Sequence, residues 1–297
     1  MSVTMRRQAA DTVCDLFSHD DRIAVVLSEI SVEYFAPAFA HDPGRIVNVG
    51  IMEATMVGVA AGFAMEGFHP VAHTIAPFLA ERALEQVKLD LGNQELGATL
   101  IGTGGSFDYG VEGTTHHAPG DVQAMLTIPG MRVLVPGHPA EVDTLLRATV
   151  GDGVLTYMRL QAVHNPEPAP AGPAQVRSLR AGGETAVLAI GPMLGRVLEA
   201  TADLDVRVLY TATAAPIDRR ALREVAAGVT RLITVEPFHE GTLAPQVVPA
   251  LADRPARFEF IGVPRRLVRE YGSPQEHDRA LGLDAAGLRA RIAGVLA

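Results

Sequence analysis

Short apolar, β-branched runs alternate with helix-patterned stretches along nearly the whole chain, and this alternation restricts the fold more than any other feature. The pattern predicts a helix over 4–18, strands at Ile23–Leu27, Ile46–Val49 and 70–75, and helices from about Met52 to Met65 and from Phe78 to about Leu91. Strands at Ala98–Ile101, Arg132–Val135 and Val154–Arg159 follow, with helices near 121–127 and 139–149 between them. Strands joined through helices run parallel, in a sheet covered on both faces. Residues 161–180 break the pattern with prolines at 166, 168, 170 and 173, the composition of an extended linker. Beyond it come strands Ala186–Ile190, Val206–Tyr210, Leu232–Val235 and Arg257–Ile261, with helices near 193–203, 217–227, 241–251 and 285–296. The expected class is α/β, with two domains that are each a mainly parallel sheet flanked by helices: residues 1–163, a linker at 164–180, and residues 181–297.

The 297 residues are more than one typical domain needs. A net charge of −9, from 25 basic and 34 acidic residues, argues against a nucleic-acid or anionic-membrane surface. The single cysteine, Cys14, rules out an internal disulfide framework and fits a reducing, cytoplasmic setting. Charges at Arg6, Arg7 and Asp11 stand where an export signal would carry its apolar core.

Two stretches hold the candidate chemistry. In 46–78 a strand meets Gly50 and an apolar helix follows, too short to span a bilayer. Its small residues Gly58, Ala61 and Gly62 would let another backbone approach, as in a helix buried between other helices or across a subunit interface. Glu53 is the one carboxylate in its first turn. An acid there favours the helix dipole by about 0.3–1 kcal/mol and need do nothing more. A carboxyl buried there could also exchange a proton with a ligand.

The second stretch, 102–120, follows a strand and holds Gly102, Gly104, Gly105, Gly110 and Gly113, in the position where open α/β sheets gather ligands. It has neither the GxxxxGK[ST] nor the GxGxxG spacing. His116 and His117 lack a Cys or carboxylate at a spacing that would complete a metal site, so no metal ligand is assigned. Surface residues, proton transfer and hydroxyl recognition all remain open for the pair. His69 and His73 are spaced HxxxH, but Pro70 and the β-branched neighbours indicate a strand. The Gly151-Asp152-Gly153 triplet reads as a turn, because the next Asn, Asn165, is too close for a thiamine diphosphate magnesium motif.

Taken together, VGIMEATMVGVAAGFAMEGFHPV, APFLAERALEQV, EGTTHH, IPGMRVLVPGHPAEV, YMRLQ, ITVEPFHEGTLAPQVV and IGVP resemble, in order and over nearly the whole chain, the C-terminal half of a transketolase. The same pyrimidine-binding and C-terminal domains occur in deoxyxylulose-phosphate synthase and 2-oxoacid dehydrogenase β subunits. The resemblance implies one subunit of a split enzyme that transfers a two-carbon ketol unit from a ketose-type donor to an aldehyde. Thiamine diphosphate and Mg²⁺ (or Ca²⁺ or Mn²⁺) would be held mainly by an N-terminal, diphosphate-binding partner subunit in an α2β2 assembly. Glu53 would hydrogen-bond N1′ of the aminopyrimidine, Phe78 would stack on that ring 25 residues later, and Ile75 would also touch the cofactor. His116, Glu112, Arg159 and His73 would contact the substrate, with Arg159 holding a phosphate.

The sequence departs from the family in three places. No His follows Glu53-Ala54-Thr55, the 102–106 loop GTGGS carries neither His nor Arg, and Met52 stands where transketolases often have Arg. These losses of cationic groups point to a less phosphorylated or specialised ketose or a 2-oxoacid. The alternatives are an acetoin or 2-oxoacid dehydrogenase E1 β subunit, and a regulatory homologue without catalysis.

Overall fold

The computed structural model describes residues 3–296. The first sheet contains β1 (Ile23–Leu27), β2 (Ile46–Asn48), β3 (His69–Ile75), β4 (Thr99–Thr103), β5 (Arg132–Leu134) and β6 (Thr156–Leu160). The second contains β7 (Arg177–Arg180), β8 (Thr185–Ile190), β9 (Arg207–Thr211), β11 (Arg231–His239) and β12 (Arg257–Val263), while β10 (Thr213–Ala215) leaves it to join the first. The orders are β10-β5-β6-β4-β3-β1-β2 and β12-β11-β8-β9-β7. All pairings are parallel except β10 with β5 and β7 with β9. Residues of β1, β4 and β6 are buried without alternation, as expected for strands covered on both faces.

Several elements differ from the sequence reading, three of them near the site or the junction. The stretch after Phe78 is not one regular helix. It winds as π turns at Phe78–Arg82 and Val87–Gly92 around a short α-helical piece, with Ala83 N–H donating to the Phe78 carbonyl. Strand β7 lies inside the Pro-rich stretch, and that stretch is tied down. Asn165 is buried, its Nδ2 donates to the Gly191 carbonyl (3.0 Å), and its Oδ1 accepts from Gly195 N–H (2.9 Å). A capped helix, Pro274–Leu281, also escaped the pattern because its apolar face is short.

Strand β10 carries the second half of the chain onto the edge of the first sheet. The buried Glu141 reinforces that junction. Its Oε2 accepts from Gly137 N–H (2.8 Å) and from the Tyr210 hydroxyl, and its Oε1 accepts from Ala169 N–H (2.9 Å). The two halves are therefore joined by backbone pairing as well as by packing.

Candidate active site

The loops after β1, β2, β3 and β4 all leave the C-terminal edge of the first sheet, where a parallel sheet leaves room for a ligand. After β2 the chain turns at Gly50, whose φ of 74° is a left-handed conformation that glycine adopts without strain. Ser28 fixes this turn: its hydroxyl donates to the Gly50 carbonyl (2.8 Å) and accepts from Met52 N–H (3.1 Å). The helix Glu53–Met65 then begins without a side-chain cap, and Glu53 is only 2% exposed.

Arg82 lies opposite. Its Nη1 donates to Glu53 Oε2 at 2.8 Å, and its guanidinium carbon sits 4.1 Å from the centroid of the Phe78 ring. The chain from Phe78 to Arg82 winds as a π turn closed by the Ala83 N–H to Phe78 carbonyl bond. On another side of Phe78, the His116 ring meets it edge-on with centroids 5.1 Å apart, and Tyr109 lies 6.2 Å from His116. Glu53, Arg82, Phe78 and His116 thus form one linked arm.

His73 forms a neighbouring wall. Its Nδ1 faces the Ile101 carbonyl at 3.0 Å, so Nδ1 carries the proton and Nε2 accepts from the Ser31 hydroxyl at 2.8 Å. Burial pushes its pKa down to about 4, which keeps the ring neutral. Ser31 in turn accepts from Arg6 Nε at 2.6 Å. Ile75, half-buried, ends β3 beside Thr103 of β4.

Two predicted substrate residues lie elsewhere. Glu112 is exposed on the 3₁₀ turn Gly110–Glu112, and its carboxylate has no hydrogen bond or ion pair among the described residues. Arg159 is fully buried, which corrects its expected role as a free phosphate clamp. Its Nε donates to Asp121 (2.8 and 3.1 Å), Nη1 to Gln161 (2.6 Å) and Nη2 to Ser106 Oγ (2.6 Å). Gly105 leaves space for it, since a Cβ there would fall 2.5 Å from the Arg159 Cζ. Ser106 donates onward to the Pro237 carbonyl of the second half, so Arg159 braces the glycine-rich loop.

The second domain holds the same loop at three further points. His239 N–H donates to the Pro119 carbonyl (2.8 Å), Thr114 Oγ1 to the Val268 carbonyl (3.3 Å), and Gly272 N–H to the Gly110 carbonyl (3.3 Å). This is a structural role for a domain whose task the sequence left open.

Residues 3–161 match the transketolase pyrimidine binding domain and residues 174–288 the transketolase C-terminal domain. The chain belongs to the transketolase family. A 33.6 kDa protein of the fasciation locus of Rhodococcoides fascians is 42% identical to this transketolase-family chain over 281 residues, covering 93% of it and 90% of the relative. One of the subunits of an apulose-4-phosphate transketolase from Phocaeicola vulgatus is 28% identical over 298 residues, covering 96% and 95%. Among solved structures, a split-gene transketolase in the form of an inactive β4 tetramer superposes with a TM-score of 0.86 at 28% identity, covering 97% of both chains.

Sequence reasoning missed Arg82, Ser31 and Arg6. Arg82 was visible as a cation four positions after Phe78, but only the π turn shows that it reaches Glu53. Nothing in the sequence brings Arg6 and Ser31 together, 25 residues apart.

Proposed function

We propose that this chain is the C-terminal subunit of a split, thiamine diphosphate-dependent transketolase that moves a two-carbon ketol unit from a ketose-type donor to an aldehyde. The observation that carries this reading is the buried Glu53 carboxylate beside Phe78 at the sheet's C-terminal edge. The planar guanidinium of Arg82 already makes both contacts expected of an aminopyrimidine, a hydrogen bond to Glu53 and a stack on Phe78. The residues present therefore fit the ring half of the cofactor.

Bound there, the cofactor supplies an electron sink for the bond cleaved beside the donor carbonyl. Glu53 Oε2 would hold the aminopyrimidine ring and would share a proton with its N1′ nitrogen. For that, Arg82 would have to release Oε2 and leave the Phe78 face. His116 is placed to donate to or accept from a substrate hydroxyl, which acid–base positioning makes worth about 10²–10⁴ in rate. Neutral His73 orients Ser31, and Arg6 beside it provides a cation for an anionic donor. The Phocaeicola relative's name supports a specialised sugar phosphate as that donor.

The diphosphate and its divalent metal fall to an N-terminal partner subunit in an α2β2 assembly. Among the described residues no three His, Cys, Asp or Glu side chains converge on a metal position. The helix Glu53–Met65 leaves Thr55, Gly58, Gly62 and Met65 exposed along one side, and Met52 is exposed just before it, a surface open to another subunit. That the solved split-gene relative is an inactive β4 tetramer supports an isolated subunit without turnover. The test is reconstitution with a diphosphate-binding partner and a coupled assay for ketol transfer. Activity in the mixture, absent from either chain alone, upholds the proposal; lipoyl acylation instead of ketol transfer overturns it in favour of a dehydrogenase subunit.

A further inference from the structure

We propose that the cleft between the two domains is a second binding site, for a small phosphorylated anion, separate from the Glu53 arm. The cleft encloses about 440 Å³, within the roughly 300–1,000 Å³ of small-molecule sites and larger than a bare phosphate needs. His117 lines it from the first domain, and Arg265 and Arg266 line it from the second.

His117 supplies the main evidence. It is 6% exposed, and neither ring nitrogen has a hydrogen-bond partner among the described residues. Buried polar atoms are nearly always paired, so an unpaired imidazole at the wall of a cavity is a candidate partner for a ligand that reorients it. The ring packs edge-on against Phe107 (5.0 Å) and His277 (5.3 Å). A neutral imidazole has one N–H to give to an anion and can choose which nitrogen carries it.

Charge indicates the class of ligand. The chain as a whole is acidic at −9, yet two arginines face this cleft. Arg265 uses Nη1 on Gln123 Oε1 (2.6 Å) and Nε on the Glu240 carbonyl (3.2 Å), which fixes its guanidinium and leaves Nη2 unengaged among the described residues. Arg266 is exposed, and its side chain makes no hydrogen bond or ion pair among the described residues. Guanidinium forks match phosphoryl oxygens in geometry and charge. The one acid in the lining, Glu81, is exposed to solvent, and partial burial of its carboxyl raises its pKa.

The cleft is separate from the catalytic arm but adjacent to it. His116 and His117 are consecutive, and they face different partners: His116 meets Phe78, and His117 meets Phe107 and His277. A ligand seated on His117 therefore presses on the turn that sets His116. This gives the second domain a ligand-responsive part in the site, beyond bracing the loop.

The full-length chain, without cofactor or partner subunit, is titrated with glycerol 3-phosphate while histidine side-chain resonances are followed by NMR. The His117 signals are assigned by their loss in His117→Gln, and glycerol serves as the uncharged control. The expected result is a saturable shift of the His117 signals with glycerol 3-phosphate and none with glycerol. Arg266→Ala, an exposed position, should weaken that binding by about tenfold or more, and Arg6→Ala should leave it unchanged. Failure of His117 to respond, or equal affinity in Arg266→Ala, overturns the site. Loss of binding in Arg6→Ala with retention in Arg266→Ala would place the anion at the Ser31 wall instead, and equally overturns it. None of these outcomes depends on transketolase turnover.

Discussion

Arg82 donates to Glu53 at 2.8 Å across a separation of 29 residues, while its guanidinium covers the Phe78 ring at 4.1 Å. One side chain thus occupies the carboxylate and the aromatic face together. Glu53 is buried and Arg82 is half exposed, so solvent screens the pair from one side only. Removing the arginine leaves a buried carboxylate without its partner. Arg82→Met should therefore cost about 1–2 kcal/mol of stability, and the same change in a Glu53→Gln background should cost clearly less. Chemical denaturation of the four proteins measures that coupling, and additive costs would show that the two side chains do not interact.

Glu53→Gln keeps the shape of the side chain and a hydrogen-bonding oxygen but loses the shared proton. In the reconstituted enzyme, turnover should fall by at least about 10², while the melting temperature of the chain stays within a few degrees. Turnover close to wild type would remove Glu53 from the mechanism.

The π turn and the arm show what the sequence could and could not reveal. The alternation of strands and helices made both sheets visible: buried β1 (IAVVL) is an unbroken apolar run, whereas β4 (TLIGT) and β6 (TYMRL) are apolar and β-branched enough to be seen although they carry polar residues. Glu53, Phe78 and His116 could be singled out because their spacing is a property of the chain, and the structure links them through Arg82 and ring contacts. Arg159 shows where that reading failed. A strand-end arginine looks the same in sequence whether it faces a substrate or a buried Asp, and only the sheet places Asp121 against it. Strand β10 was missed for a related reason: three residues joining the other domain's sheet carry almost no periodic signal.

His69 and His73 are both buried neutral, with pKa values pushed down to about 4 mainly by burial. The unfolded chain takes up their protons near pH 6.5, well before the folded chain can. Their contribution is thus complete above pH 6.5 and is lost as the pH falls toward 4, at up to about 3 kcal/mol for each ring. Thermal melts between pH 7.5 and 4.5 should show this decline, and His69→Gln, which can keep a hydrogen bond to Thr99, should show a shallower one. Parallel curves would mean that His69 is not buried in its neutral form.

Asp108 behaves in the opposite sense. Burial pushes its pKa up to about 7, against the opposing effects of the Ala162 N–H bond (2.6 Å) and Arg159. The folded chain keeps this proton longer than the unfolded one, so Asp108 loses stabilising effect as the pH rises from about 4 through 7. The stability of Asp108→Asn relative to wild type should rise across that interval and level off above it. A difference that does not change with pH would show the carboxyl to be ionised throughout.

The central claim is that this chain supplies the aminopyrimidine half of a cofactor site and requires another subunit for the diphosphate half. Calorimetric titration of thiamine diphosphate with Mg²⁺ tests it most directly, first on this chain alone and then on the chain assembled with an N-terminal transketolase subunit. Saturable heat only in the assembled pair, abolished or strongly weakened by removing either subunit, is the predicted result. Tight binding to the isolated chain would contradict it, because the diphosphate would then have a complete site within these 297 residues.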